Sequence, residues 1–193
     1  MSMLVHHFDV FTKDRLTDVG LDSGDTMEYV YDGIGRRIER IFTTTIDDNP
    51  DVTTYKYHYI GSQITDIEID ATNDGQAYKD EEMLFHMGAN SQPISLTWKK
   101  YNYQSEQTTS TTYYYHFDVH GNTLNLTDSS GTVKATYAYD TLGKMTYYDN
   151  DDSIPNPFTY GGATQVLDDS QDGTESGTGL ELYFGGAFYN PDT

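Results

Sequence analysis

A short pattern returns along this chain at near-regular intervals, and any fold must give each return the same local structure. Tyr29-Val30-Tyr31-Asp32-Gly33-Ile34-Gly35-Arg36-Arg37-Ile38 comes back as Tyr115-His116-Phe117-Asp118-Val119-His120-Gly121-Asn122-Thr123-Leu124 and as Tyr137-Ala138-Tyr139-Asp140-Thr141-Leu142-Gly143-Lys144-Met145. The shared rule is aromatic, any residue, aromatic, Asp, two residues, Gly, then a polar or basic residue. Two decayed copies lie between, Tyr57-His58-Tyr59-Ile60-Gly61-Ser62-Gln63-Ile64 and Phe85-His86-Met87-Gly88-Ala89-Asn90-Ser91-Gln92-Pro93-Ile94. The marker residue after each leading triplet falls at positions 32, 60, 88, 118 and 140, giving steps of 28, 28, 30 and 22.

Aromatic residues two apart point to one side of a strand, so Tyr29 and Tyr31 share a face that Val30 does not. Asp then opens a turn, Gly supplies the backbone freedom to close it, and a second strand follows. One repeat is one hairpin, and stretches such as Asn73-Asp74-Gly75 and Ser129-Ser130-Gly131 provide the return turns. With 18 Tyr, 17 Gly and 5 Pro, and with Thr runs such as Thr43-Thr44-Thr45, composition favours strands joined by glycine turns. No segment holds a helical period over three turns. The expected fold is all-β, antiparallel hairpin repeats forming a curved, open sheet, with the repeats filling residues 1–148. Because an isolated hairpin is barely stable in water, the aromatic rows are read as packing surface between successive hairpins. Trp98 follows Ile94-Ser95-Leu96-Thr97 in strand-like alternation and is assigned to the core.

Charge narrows the partners. Acidic residues number 31 against 11 basic, a formal net charge of −20, so the surface repels phosphate backbones and anionic headgroups, and nucleic acid is excluded as a partner. No cysteine is present, which removes disulfides, thiolate metal sites and thiol nucleophiles. No apolar window approaches the length of a membrane span, and the first residues lack the basic start and apolar stretch of a leader, so any export address is expected outside these 193 residues.

The Tyr-x-Tyr-Asp-x-x-Gly pattern with its return near 30 residues resembles the YD repeats of the RHS family. The C-terminal portion, residues 149–193, sharpens the resemblance. Asn156-Pro157-Phe158-Thr159-Tyr160-Gly161-Gly162, and later Thr178-Gly179-Leu180 through Tyr183-Phe184-Gly185-Gly186-Ala187-Phe188-Tyr189-Asn190-Pro191-Asp192-Thr193, look like the RHS-associated core motif that closes such arrays. The likeness spans residues 29–193. Departures are an acidic insertion around Asp168-Asp169-Ser170-Gln171-Asp172-Gly173, one extra residue after Leu180, and Ala187 in place of the family's usual arginine. The aspartates that some members use to cleave themselves have no counterpart here, so the resemblance implies no protease activity. It implies a secreted or cell-surface setting as part of a larger protein, a β-shell architecture with the core-like motif continuous with the repeat sheet, and, as partners, the remainder of a longer RHS-like polypeptide or its toxin cargo. Self-association through the sheet edges is the other expected contact. A cargo of about 150 residues has a radius of gyration near 15 Å and needs a wall of roughly 30 strands, whereas five or six hairpins supply about 10 to 12. Such a chain cannot enclose a protein alone; it is expected to be either a part of a longer polypeptide or an open sheet that needs neighbours at its edges.

Candidate sites are few. Asp70-Ala71-Thr72-Asn73-Asp74-Gly75-Gln76-Ala77-Tyr78-Lys79-Asp80-Glu81 carries acidic residues at the first, fifth and twelfth places of a calcium loop and glycine at the sixth, so oxygens of Asp70, Thr72, Asp74, Gln76 and Glu81 form a candidate calcium set. The competing reading is a turn between two strands, since the flanks read as β. Asp168-Asp169-Ser170-Gln171-Asp172-Gly173 begins similarly but lacks the closing carboxylate. His58, His86 and His116 occupy one repeat position, yet equivalent residues on successive hairpins stand about 9.5 Å apart, too far to share one ion, and they read as exposed or wall-lining. No phosphate loop, nucleophile elbow, zinc-protease helix or dinucleotide fingerprint occurs, and no carboxylate pair stands out from the acidic background. The expectation is a non-catalytic scaffold with no cofactor; the alternative is a carbohydrate or cell-surface binding module using exposed tyrosines.

Overall fold

The structure, a computed structural model, describes residues 6–12, 15–21, 24–46, 49–150, 153–162, 165, 167–168, 182–184 and 187–189. Twelve strands follow one another in chain order: β1 (His6–Thr12), β2 (Arg15–Leu21), β3 (Thr26–Tyr31), β4 (Arg37–Ile46), β5 (Asn49–Ile60), β6 (Gln63–Asn73), β7 (Gln76–Met87), β8 (Pro93–Asn102), β9 (Gln107–Phe117), β10 (Thr123–Thr127), β11 (Val133–Tyr139) and β12 (Met145–Asn150). Each pairs with the next in one sheet, with β1 and β12 as its two edges, so the sheet is open, as the repeats imply. Among the described residues there is no α-helix, and none long and apolar enough to cross a membrane.

The Asp-x-x-Gly turns share one hydrogen-bond scheme. The backbone N–H of Asp32 donates to the carbonyl of Arg36 at 2.9 Å and that of Gly35 to the carbonyl of Asp32 at 3.0 Å, while Asp32 Oδ1 accepts from the N–H groups of Ile34 and Arg36 at 3.0 and 2.9 Å. Asp118 and Asp140 repeat it, with Oδ1 accepting from His120 and Asn122 at 2.8 and 2.9 Å, and from Leu142 and Lys144 at 2.8 and 3.0 Å. The decayed copy at Gly88 keeps the backbone part: Gly88 N–H donates to the Gln92 carbonyl at 2.8 Å, and Ser91, with φ of 65°, stands where the others have glycine. The copy at Ile60 departs, closing through Gly61-Ser62 alone. Asp128, just ahead of the return turn Ser129-Ser130-Gly131, makes the full scheme with Ser130 and Thr132.

The chain packs into two compact units, the first from Met1–Tyr59, Asp66–Met83 and Lys99–Ser110, the second from Ile60–Thr65, Leu84–Trp98 and Thr111–Thr193. In the first, register places Tyr29 opposite Arg40, Arg40 opposite Tyr55, and Met27 opposite Phe42, so alternate residues of β3, β4 and β5 share one face. Met27, Tyr29, Arg37, Arg40, Phe42, Tyr55 and Tyr57 are all buried. Two arginines tolerate this because aromatic faces receive them: the Arg37 guanidinium lies 5.5 Å from the Tyr29 ring centroid and 4.8 Å from that of Tyr57, and Arg40 lies 4.0 Å from Tyr55. In the second unit Phe85, Leu96, Trp98, Tyr113, Tyr115, Leu126, Ala135 and Tyr137 form the corresponding buried face. Full burial of one such apolar side chain contributes about 1.5–3 kcal/mol, so these rows are the main stabilising surface of each unit.

The C-terminal portion corrects one expectation. In place of continuing the repeat sheet, residues 153–162 run without strand structure, and β13 (Leu167–Asp168), β14 (Leu182–Phe184) and β15 (Ala187–Tyr189) form a separate antiparallel three-stranded sheet. Pro157, which has no N–H to donate, sits in the middle of the irregular run, where a ladder partner is not required of it. Thr178-Gly179-Leu180, Gly185-Gly186 and the segment from Asn190 to Thr193 lie outside the described residues, as does most of the acidic insertion beyond Asp168.

Candidate functional site

Within the second unit, residues 153–162 form a strap across the aromatic face, with Ile154, Asn156, Phe158 and Thr159 buried. Phe158 is 0% exposed and meets Phe85 at a ring-centroid distance of 4.7 Å. Asn156 organises the crossing: its Oδ1 accepts from the Tyr115 hydroxyl at 2.9 Å and from the Phe158 N–H at 3.1 Å, while its Nδ2 donates to the Phe158 carbonyl at 3.2 Å. Burial, reinforced by neighbouring Tyr137, pushes the Tyr115 hydroxyl well above its ordinary pKa, so it stays protonated as the donor this contact needs. Thr123 fastens the strap again, its Oγ1 donating to the Phe158 carbonyl at 2.6 Å and its N–H to the Thr159 carbonyl at 2.9 Å.

Downstream, Asn122 Oδ1 accepts from the Gly161 N–H at 2.9 Å. A Cβ at Gly162 would stand 2.6 Å from Thr123 Oγ1 and 3.3 Å from Phe158 Cβ, so the backbone approaches as closely as it does because no side chain intervenes. Gln165 then does for Ile64 what a neighbouring strand would do: its Oε1 accepts from the Ile64 N–H at 3.0 Å and its Nε2 donates to the Ile64 carbonyl at 2.7 Å. The arrangement covers apolar surface and satisfies backbone groups through packing groups and neutral amides.

The expected calcium set is placed on a hairpin of the first unit. Asp70 and Thr72 lie on β6, Gln76 and Glu81 on β7, and Asp74 in the turn between them, where Asp74 and Gly75 have φ of 46° and 75°, the two positive values of a tight hairpin turn. Lys56 Nζ donates to Asp70 Oδ2 at 2.9 Å, so that carboxylate has a cation already. The carboxylates of Asp70, Asp74 and Glu81 are not among those the structure gathers within ligating reach of one another.

Another group is gathered instead. His58 on β5 and Asp66 and Glu68 on β6 hold their nearest ligand atoms within 4.8 Å of one another, with His58 Nε2 lying 3.7 Å from Asp66 Oδ1 and 3.6 Å from Glu68 Oε1. Sequence reasoning compared His58 with the histidines of other hairpins and missed its cross-strand neighbours. The available signal was Asp66-x-Glu68, whose alternation puts both carboxylates on one face of the partner strand. His86 is exposed, and His116 Nε2 lies 3.0 Å from Thr127 Oγ1, so the three histidines do not share surroundings.

No family model matches the chain, and no curated protein does. Solved structures do resemble it. TcdB2-TccC3 superimposes with a TM-score of 0.73 at 18% identity over 96% of this chain and 9% of that chain. TcdB2-TccC3 without its hypervariable C-terminal region gives 0.72 at 18% identity over 96% and 8%. A Tc holotoxin pore from Photorhabdus luminescens, carrying a substitution in TccC3, gives 0.76 at 18% identity over 96% and 8%. The chain therefore spans less than a tenth of the length of these neighbours, and at this identity the likeness establishes the fold.

Proposed function

We propose that this chain is a wall segment of an RHS-type β-shell within a longer, exported toxin or surface protein, and that it acts by architecture without catalysing a reaction. The observation that carries the reading is the strap: Asn156-Pro157-Phe158-Thr159-Tyr160-Gly161, the segment resembling the family's closing motif, is the segment that seals the aromatic face. Fold similarity to portions of much longer chains supports membership in a longer polypeptide. The edge β1 is where preceding hairpins would extend the ladder, and β12 is the other edge open to a neighbour. Antibody raised against this chain, used on cell and medium fractions of the source organism, tests it. A species far larger than 21.9 kDa at the surface or in the medium is the expected result, and a free 21.9 kDa species confined to the cytosol overturns it.

A glycan-binding role is favoured by one observation, the exposed tyrosines Tyr78, Tyr103, Tyr114, Tyr147 and Tyr148. It is the weaker reading because the repeat tyrosines Tyr29, Tyr57, Tyr115 and Tyr137 are buried. A glycan array on which binding falls with Tyr147→Ala and Tyr148→Ala would raise it.

A further inference from the structure

We propose that His58, Asp66 and Glu68 form a binding site for a borderline first-row divalent cation, with zinc as the type ion, on the polar face of the first unit. His58 and Lys56 alternate along β5 with the buried Tyr55 and Tyr57, so the site lies on the face away from the aromatic rows. A tetrahedral zinc ion with one imidazole nitrogen and one carboxylate oxygen at ordinary bond lengths holds those two atoms about 3.4 Å apart. The observed separations of 3.7 and 3.6 Å from His58 Nε2 to the two carboxylates need adjustments of only about 0.3 Å. Two strands supply the ligands, β5 one and β6 two, so these atoms are brought together by the hairpin itself.

The donor set decides the class of ion. Two carboxylates and a neutral imidazole carry two negative charges toward a divalent ion, and the nitrogen favours zinc or cobalt over calcium or magnesium, which prefer oxygen throughout. With the side chains of His58 and Glu68 49% and 45% exposed, solvent reaches the remaining coordination position. Lys56, a cation on this face, donates to Asp70 at 2.9 Å and is also attracted by the Glu68 carboxylate, with which a bound ion would compete. A bound ion would tie β5 to β6 across the face opposite the aromatic rows.

The test uses the full chain freed of metal by chelator, with zinc chloride added in calorimetric titration and cobalt chloride followed by its visible absorption. One equivalent of zinc should bind, with cobalt giving a d–d spectrum of the intensity expected for four-coordination. His58→Gln should weaken binding by at least about tenfold, as should Asp66→Asn and Glu68→Gln singly, while His86→Gln and His116→Gln should leave it unchanged. Far-ultraviolet circular dichroism of each variant establishes that it is folded, and the three independent ligand variants guard against one that is not. Several weak equivalents insensitive to all three substitutions, or equal losses in the His86 and His116 variants, would overturn the proposal.

Discussion

Asn156 shows how much can hang on one amide. Buried to 1% exposure, it serves the Tyr115 hydroxyl and both backbone groups of Phe158. Asn156→Ala leaves the hydroxyl and the N–H without this partner in a dry site, and a loss of roughly 2–3 kcal/mol is expected, read as a lower urea midpoint with unchanged slope. Two glycines offer a paired measurement. Gly131 and Gly143 have φ of 83° and 94°, but a Cβ at Gly131 meets nothing within 4 Å, whereas one at Gly143 would lie 2.8 Å from the Tyr160 ring. Gly131→Ala should cost about 1 kcal/mol for backbone strain alone, and Gly143→Ala clearly more, visible as the larger drop in melting temperature. The conformational need for glycine was legible from the repeat. The Tyr160 contact was not, because nothing in a local pattern says which distant ring will lie over a turn.

Within the hairpin, the aspartate is the part that responds to pH. Loss of hydration would raise the Asp118 carboxyl, but hydrogen bonds from the Asn122 backbone and side chain and the His120 N–H outweigh it and hold the group below its ordinary value of 3.8. Asp128, held chiefly by the Ser130 hydroxyl, is lowered too, and Asp32 is lowered by Arg36 and Ile34 against its own loss of hydration. A carboxyl depressed in the folded state stabilises fully above its unfolded pKa, and that contribution disappears as pH falls through the lower folded value. Asp118→Asn should therefore destabilise at neutral pH, with the gap to the parent narrowing at about pH 3, as measured by urea midpoints at both. Turn chemistry was the most readable feature of the sequence because donor and acceptor lie within four residues. Asp128 escaped notice because Asn125-Leu126-Thr127 precedes it where other copies carry aromatic residues.

At the scale of the whole chain, a net charge of −20 opposes compaction. Raising sodium chloride from about 0.01 M to about 0.15 M shortens the Debye length from about 30 to 8 Å, and the thermal midpoint should rise with it; a midpoint that falls would mean that specific ion pairs dominate. Deleting residues 153–193 uncovers Phe85 and Tyr115, so the shortened chain should bind a hydrophobic dye and precipitate at concentrations where the parent stays clear. The ordered strand meander was foreseeable from five marker residues, since adjacent hairpins of like pattern pair with one another. The crossing strap was not, because its partners are remote in sequence and its backbone keeps no period that marks a strand.

Gln165 and Ile64 stand 101 positions apart, and the bonds between them close a loop of just over half of the chain. A ribosome releases the hairpins before their cover, so Phe85 and Tyr115 emerge without Phe158 and Asn156 until some seventy and forty further residues have been added. At about 5–20 residues per second this interval lasts on the order of seconds, long enough for chaperone capture. The order of synthesis thus makes the nascent chain stickier than the finished one.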